Sequence, residues 1–293
     1  MEERRFGCAP RRHRGTGDDS DAHRREERLM AFDIDKYTKN STGVQWADLD
    51  FDEFERNPLP EETLRTLRYM CDIEYHTVCY LRDLLTTPSH DEPAVGAFMT
   101  MWNREEFWHG EALAAVLERH GLRVDFDELK ATRLKLGWKD RLGTVKQTVI
   151  GRLVGNDFVA VHMAWGAANE WSATAAYHRL AALESHPVLV PLLKRIAQQE
   201  TKHVAFYASQ ARDRLAASKK ARVVARLALE NAWGPVGSGV MPETEVTHVM
   251  THLFAGSEGR KFIRDIDAHI AKLPGMDGLR IVENAMDKRG IAS

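Results

Sequence analysis

The sequence predicts an all-α protein built on a bundle of four long helices, and three observations carry that reading. Four stretches repeat apolar residues at helical spacing, each of these stripes holds a glutamate near its middle, and no stretch of useful length alternates as a strand would.

The elements follow in order. Residues 1–29 hold eight arginines and seven acidic residues with almost no aliphatic side chains. Such a segment cannot offset the entropy of ordering, so a disordered tail is expected. It has no apolar stretch for a signal peptide, and a transit peptide avoids acids. More protein-like sequence opens at Met30, a candidate start codon. Residues 30–60 are expected to form an irregular arm, acidic and aromatic from Val44 to Pro60, with Trp46, Phe51 and Phe54 laid over the bundle.

A helical domain is expected over 61–293, with its core bundle over 61–217 and accessory helices over 218–293. The first helix runs from about Glu61, after Pro58 and Pro60, to Leu85, where Thr86-Thr87-Pro88 ends it. Its stripe through Glu74 reads Leu67, Met70, Val78 and Leu81. The second runs from Pro93 to Gly121, with Met99, Trp102, Gly110 and Leu113 around Glu106. After a polar connection over about 124–140, a third pattern spans Thr144 to Leu183, tolerating Gly151, Gly155 and Gly166. Met163, Gly166, Thr174 and Tyr177 flank its Glu170. The fourth starts at Pro187 and Pro191, carries Leu193, Ile196, Val204 and Tyr207 around Glu200, and fades after Leu215. Shorter helices are expected over 219–233 and 243–272.

Composition narrows the function. The chain has 293 residues, enough for one such domain with tails. With 41 basic against 43 acidic residues, bulk charge makes no case for nucleic acid or an anionic membrane. No run approaches the eighteen or so apolar residues of a membrane span. Three cysteines, Cys8, Cys71 and Cys79, do not make a disulfide framework. A reducing cytoplasm fits best.

The chemistry lies in a spacing. Glu106 and His109 stand three residues apart, as do Glu200 and His203, so each pair shares one helix face. With Glu74 and Glu170 from the other two helices, this is the ligand set of a di-iron carboxylate bundle. Chance placement gives about one Glu-x-x-His, and the chain has three. The third, Glu245 to His248 with His252 one turn on, has fewer matched partners and reads as a polar helix face. For the other two the argument is burial. A lone carboxylate in an apolar stripe costs several kcal/mol unless it is paired or bound to metal. Four glutamates neutralise two Fe(II) ions, and imidazole suits iron.

The residues also carry a resemblance. Glu105-Glu106-Phe107-Trp108-His109-Gly110 resembles the Glu-Glu-x-x-His-Gly of soluble acyl-acyl carrier protein desaturases, and Gln199-Glu200-Thr201-Lys202-His203 resembles that family's second Glu-x-x-His. The resemblance covers roughly Glu61 to Leu215 in the same helix order. It implies a ferritin-like four-helix bundle with additional C-terminal helices. Glu74, Glu106, His109, Glu170, Glu200 and His203 would ligate two iron ions, with Glu106 and Glu200 as bridging, catalytic carboxylates. It further implies O₂ as co-substrate, a ferredoxin-type reductant, acyl-loaded acyl carrier protein as partner, and a homodimer.

Two positions depart from the family. Gln199 stands where the family typically has an aspartate that supports a histidine. Ala173 stands where the plant enzymes have a threonine near the O₂ pocket; Thr174, beside it, is the candidate catalytic hydroxyl here.

Three readings stay open. A desaturase would remove two hydrogens from adjacent methylenes, with Gly166, Ala167 and Ala168 leaving room for the chain. The acidic carrier would dock on Arg212, Arg214, Lys219, Lys220, Arg222 and Arg226, unless these form only a solvated helix terminus. An N-oxygenase or hydroxylase could use an added histidine, His162 or His178, each about 80° around the helix from Glu170. A ferritin-like metal-binding protein without turnover is the third.

Overall fold

The structure, a computed structural model, describes residues 32–124, 154–155 and 157–291. The expected disordered tail and residues 125–140 of the polar connection lie outside them. The architecture described is that of the unit Ile34–Ser293. Its described residues form ten α-helices and no strand, with one isolated bridge between Ser238 and Met241.

The arm is more ordered than the irregular segment expected. It holds two short helices, α1 (Ile34–Asn40) and α2 (Glu53–Arg56). Each is pinned by a single buried aromatic, Tyr37 in α1 and Phe54 in α2. Phe54 stacks on His186 with ring centroids 4.4 Å apart. Between them Arg195 forks onto the Asp48 carboxylate at 2.6 and 2.7 Å, and Arg104 donates to the Ser41 carbonyl at 2.9 Å. Exposed ion pairs add little, so the buried rings set where the arm lies.

Four long helices make the core: α3 (Glu61–Leu84), α4 (Pro93–Arg119), α5 (Asp157–Leu183) and α6 (Leu189–Ala217). α3 packs on α4 and α5 on α6, each pair joined by a short connection and hence antiparallel; α4 meets α6 across the centre. The boundaries follow local chemistry. Pro60 precedes α3, Pro93 occupies the first turn of α4, and the His186 ring caps α6 by accepting from the Val188 and Leu189 amides, both at 3.2 Å. Of the third pattern the described residues show α5 from Asp157, with Gly155 at a left-handed φ of 70° just before it; the expected onset over 144–153 lies outside the described residues.

The accessory helices are α7 (Lys219–Ala232), α8 (Glu243–Phe254), α9 (Gly256–Ala271) and α10 (Ile281–Asp287), and α7, α8 and α9 pack on α5. Ser218 caps α7 by accepting from the Ala221 amide at 3.1 Å. Gly256, at φ 75°, splits the expected 243–272 pattern into α8 and α9. α10 is only seven residues long, too short for a helical period to register in sequence.

The apolar stripes face inward as expected, with one exception. Leu67, Met99, Leu113, Met163, Leu193 and Ile196 are fully buried and Leu81, Thr174 and Val204 half-buried, whereas Val78 is 47% exposed. No helix among the described residues is long and apolar enough to cross a membrane.

Candidate metal centre

Each of the four core helices delivers its carboxylate to one place. Glu74 from α3, Glu106 and His109 from α4, Glu170 from α5, and Glu200 and His203 from α6 are all buried. They form two groups of four whose donor atoms lie within 4.8 Å of one another: Glu74, Glu106, His109 and Glu200, and Glu106, Glu170, Glu200 and His203. Glu106 and Glu200 belong to both. Each group has one histidine and one carboxylate of its own.

The imidazoles turn their Nδ1 atoms inward. His109 Nδ1 lies 3.2 Å from Glu200 Oε1 and 3.8 Å from Glu74 Oε2. His203 Nδ1 lies 3.0 Å from Glu200 Oε2, 3.1 Å from Glu106 Oε1 and 3.6 Å from Glu170 Oε2.

Their outer nitrogens are held crosswise by the residue that precedes each motif glutamate. His203 Nε2–H donates to Glu105 Oε2 at 2.8 Å, and His109 Nε2–H donates to Gln199 Oε1 at 2.9 Å. A proton fixed on Nε2 leaves Nδ1 with a lone pair for a metal. Glu105 also accepts from Tyr37 at 2.7 Å, and Gln199 Nε2 donates to the Thr42 carbonyl at 2.9 Å. The arm therefore supports both histidines.

Aromatic donors hold the terminal carboxylates. Trp102 Nε1 donates to Glu170 Oε1 at 3.1 Å, and the Tyr177 hydroxyl donates to Glu74 Oε1. Trp102 and Tyr177 are part of the apolar stripes in sequence, where their polar ends carry no signal. Nothing in the sequence marks Tyr37 or Thr42.

Whether a metal pair fits can be judged from what the cluster leaves unpaired. Glu106 Oε1, His109 Nδ1 and Glu200 Oε1 are buried and make no hydrogen bond. Such groups cost free energy unless a partner satisfies them, and all three point into the donor groups. Two divalent cations would satisfy them and balance four carboxylates. The carboxylate and imidazole donors suit iron.

The electrostatics match. Burial, with Glu200 and Glu74 beside it, raises the Glu106 carboxyl well above its usual range. Burial pushes Glu170 up to about 8. Burial opposes charge on Glu200 as well, but the His109 and His203 imidazoles beside it hold it well below the usual range. Burial would lower His109, yet the Glu200 and Glu74 carboxylates hold it up at about 10. Without metal, the cluster shares protons among donors that a metal would otherwise claim.

Other expected residues stand apart. The Thr174 hydroxyl is buried without a hydrogen-bond partner and so bonds none of the six ligands. His178 is exposed, and His162 is buried with its Nδ1 2.8 Å from Ser89 Oγ; neither joins the donor groups. Gly166 leaves no open space, because a Cβ there would come within 2.2 Å of the Tyr207 ring. Its smallness permits close packing of α5 on α6.

The third Glu-x-x-His is a helix-face arrangement, with Glu245 paired to Arg65 at 2.8 Å and His252 bonded to Thr66 at 2.7 Å. Of the basic cluster, Arg214 pairs with Glu92, Lys220 donates to the Val154 carbonyl, Arg222 caps the Leu215 and Ala216 carbonyls, and Arg226 donates to the Gly275 and Asp277 carbonyls. Arg222 thus ties α7 to the end of α6, while the other three tie α6 and α7 to segments next to α4, α5 and α10.

Comparison with models of known protein families and with curated protein sequences finds no match.

Proposed function

We propose that this protein is an O₂-dependent di-iron oxidoreductase that dehydrogenates an aliphatic substrate, with carrier-bound acyl chains the class its motifs favour. The observation that carries this reading is the pair of four-donor groups sharing Glu106 and Glu200. Overall, a –CH₂–CH₂– unit, O₂, two electrons and two protons give –CH=CH– and two water molecules. The electrons come from an external reductant of the ferredoxin type.

Two bound iron ions would supply the oxidising power that no amino-acid side chain has. The chain's own residues do the rest. Glu74 and His109 would hold one ion, Glu170 and His203 the other, and Glu106 and Glu200 both. Gln199 and Glu105 fix the histidine tautomers, and Tyr177 and Trp102 fix the outer carboxylates. An apolar cavity lined by Met70, Ile73, Ala173 and Ala176 reaches Glu74 and Tyr177 and could seat an alkyl group away from water.

The test is reconstitution with Fe(II), a reductant, O₂ and acyl-loaded carrier protein, followed by mass analysis of the acyl product. Loss of two hydrogens is expected. Gain of one oxygen atom would point to a hydroxylase, and uptake of many iron ions per chain without acyl change would point to storage.

A further inference from the structure

We propose that the cavity beside Glu74 is a blind pocket that admits an aliphatic group end first, and that Tyr207 and His162 form the stop beyond the metal centre. The inference rests on the oxidoreductase reading only for the position of the chemistry. Its basis is the different filling of the bundle on the two sides of the ligands.

On one side lies the cavity, about 80 Å³ in volume, against about 300–1,000 Å³ for pockets that hold drug-sized ligands. Its wall comes from α3 before Glu74 (Met70, Ile73), from α5 after Glu170 (Ala173, Ala176) and from α8 (Val249, Leu253). Trp233 and Pro235, between α7 and α8, also line it, as do the ligand Glu74 and Tyr177, whose hydroxyl donates to Glu74. A group in this cavity meets mainly apolar side chains, with the Glu74 carboxylate, Tyr69, Ser172 and Tyr177 among the lining residues that carry polar atoms.

The other side is closed. Each core helix contributes one ring: Tyr80 after Glu74, Trp102 before Glu106, His162 before Glu170 and Tyr207 after Glu200. The rings meet in a closed circuit, with centroids 6.1 Å apart for Tyr80–Trp102, 6.3 Å for Trp102–Tyr207, 5.7 Å for Tyr207–His162 and 6.2 Å for His162–Tyr80. On α3 and α5, the two core helices that line the cavity, Tyr80 and His162 stand on the opposite side of the ligand from the cavity residues. Tyr207 fills the space over Gly166, and Ser89 anchors His162.

The closure is polar as well as steric. His162 Nε2 and the Tyr207 hydroxyl are buried without hydrogen-bond partners, so an alkyl chain threaded past them would lie against polar atoms it cannot pair. An aliphatic group therefore reaches the metal ligands with its tip. Oxidation falls within the last few carbons, and the bulk of the substrate stays on the accessory-helix side. His162 and Tyr207 are specificity-determining rather than catalytic residues.

The test uses straight-chain acyl-pantetheine thioesters that differ only in acyl length, binding to the full, iron-loaded chain by calorimetry. Affinity should rise about fourfold per added methylene and then level off at a short length. The length at the plateau should increase in Tyr207→Leu and in His162→Ala, two variants that open the stop independently. Ala176→Phe should weaken binding of every length by filling the cavity.

Three results would overturn the proposal: no binding at any length, affinity that climbs through long chains in the wild-type protein, or a plateau unmoved in both opening variants that fold. Turnover gives a separate reading. Oxidation near the methyl end supports the blind pocket, and oxidation in mid-chain of a long substrate contradicts it. A short-chain plateau with no oxidation of any acyl chain would remove the oxidoreductase reading and leave the pocket standing.

Discussion

His109 Nε2–H donates to Gln199 Oε1 at 2.9 Å, and the same glutamine's Nε2 donates to the Thr42 carbonyl at 2.9 Å. The second bond orients the amide, so its oxygen faces the imidazole, and the first sets the tautomer that turns a lone pair toward the carboxylates. Gln199→Leu keeps the size and removes the acceptor. Iron affinity should fall about 10- to 100-fold without loss of fold, as read by metal titration and circular dichroism. Unchanged affinity would show that the tautomer does not depend on Gln199.

The sharing of Glu106 and Glu200 between the two donor groups separates two kinds of variant. Glu106→Ala and Glu200→Ala should each abolish binding of both ions. Glu74→Ala and Glu170→Ala should each lower the stoichiometry from about two to about one, because each removes one donor from one group. Iron analysis of the four purified proteins checks this. Equal losses in all four would mean that no ligand bridges.

Stability of the metal-free protein should fall as pH rises. His109 has a folded pKa of about 10 against an ordinary 6.5, so the stability it contributes is present below the ordinary value and is lost as pH approaches 10. Glu170, at about 8 against an ordinary 4.5, acts in the same direction over a lower window. Melting temperature without metal should therefore drop from about pH 6 to about pH 9. Loading with metal should release protons and flatten that dependence. Thermal unfolding of both forms across this range is the measurement, and a metal-free melting temperature that rises would contradict the shared-proton cluster.

Gly166→Ala should destabilise the fold by about 1–3 kcal/mol through overpacking, because the new methyl would meet the Tyr207 ring. Tyr207→Leu should relieve part of that penalty in the double variant. Denaturant unfolding of the single and double variants measures the coupling. Strict additivity would show that the two side chains do not compete for one space.

Much of the bundle and all six donor residues were legible in the sequence, because a glutamate inside an apolar stripe is anomalous wherever it occurs. Four such anomalies, two with a histidine three residues on, leave few arrangements besides convergence on one point. The supporting residues were legible only in part. Glu105 and Gln199 sit beside motif residues, but Tyr37 and Thr42 belong to a connecting arm whose path no periodicity records.

Trp102 and Tyr177 read simply as apolar, since a stripe does not say what a ring's polar end touches. The small residues at Gly166 to Ala168 suggested space, whereas the structure fills the place over Gly166 with Tyr207. Which of two packings a glycine permits is decided by the neighbour, and the neighbour lies 41 positions away in the chain.

The central claim is a two-metal centre bridged by Glu106 and Glu200, and anomalous diffraction at the iron edge tests it most directly. Crystals loaded anaerobically with Fe(II) should show two peaks about 3.5–4 Å apart, one beside His109 and one beside His203, with both bridging carboxylates between them. A single peak, or a pair of peaks that Glu106 and Glu200 do not span, would contradict the account.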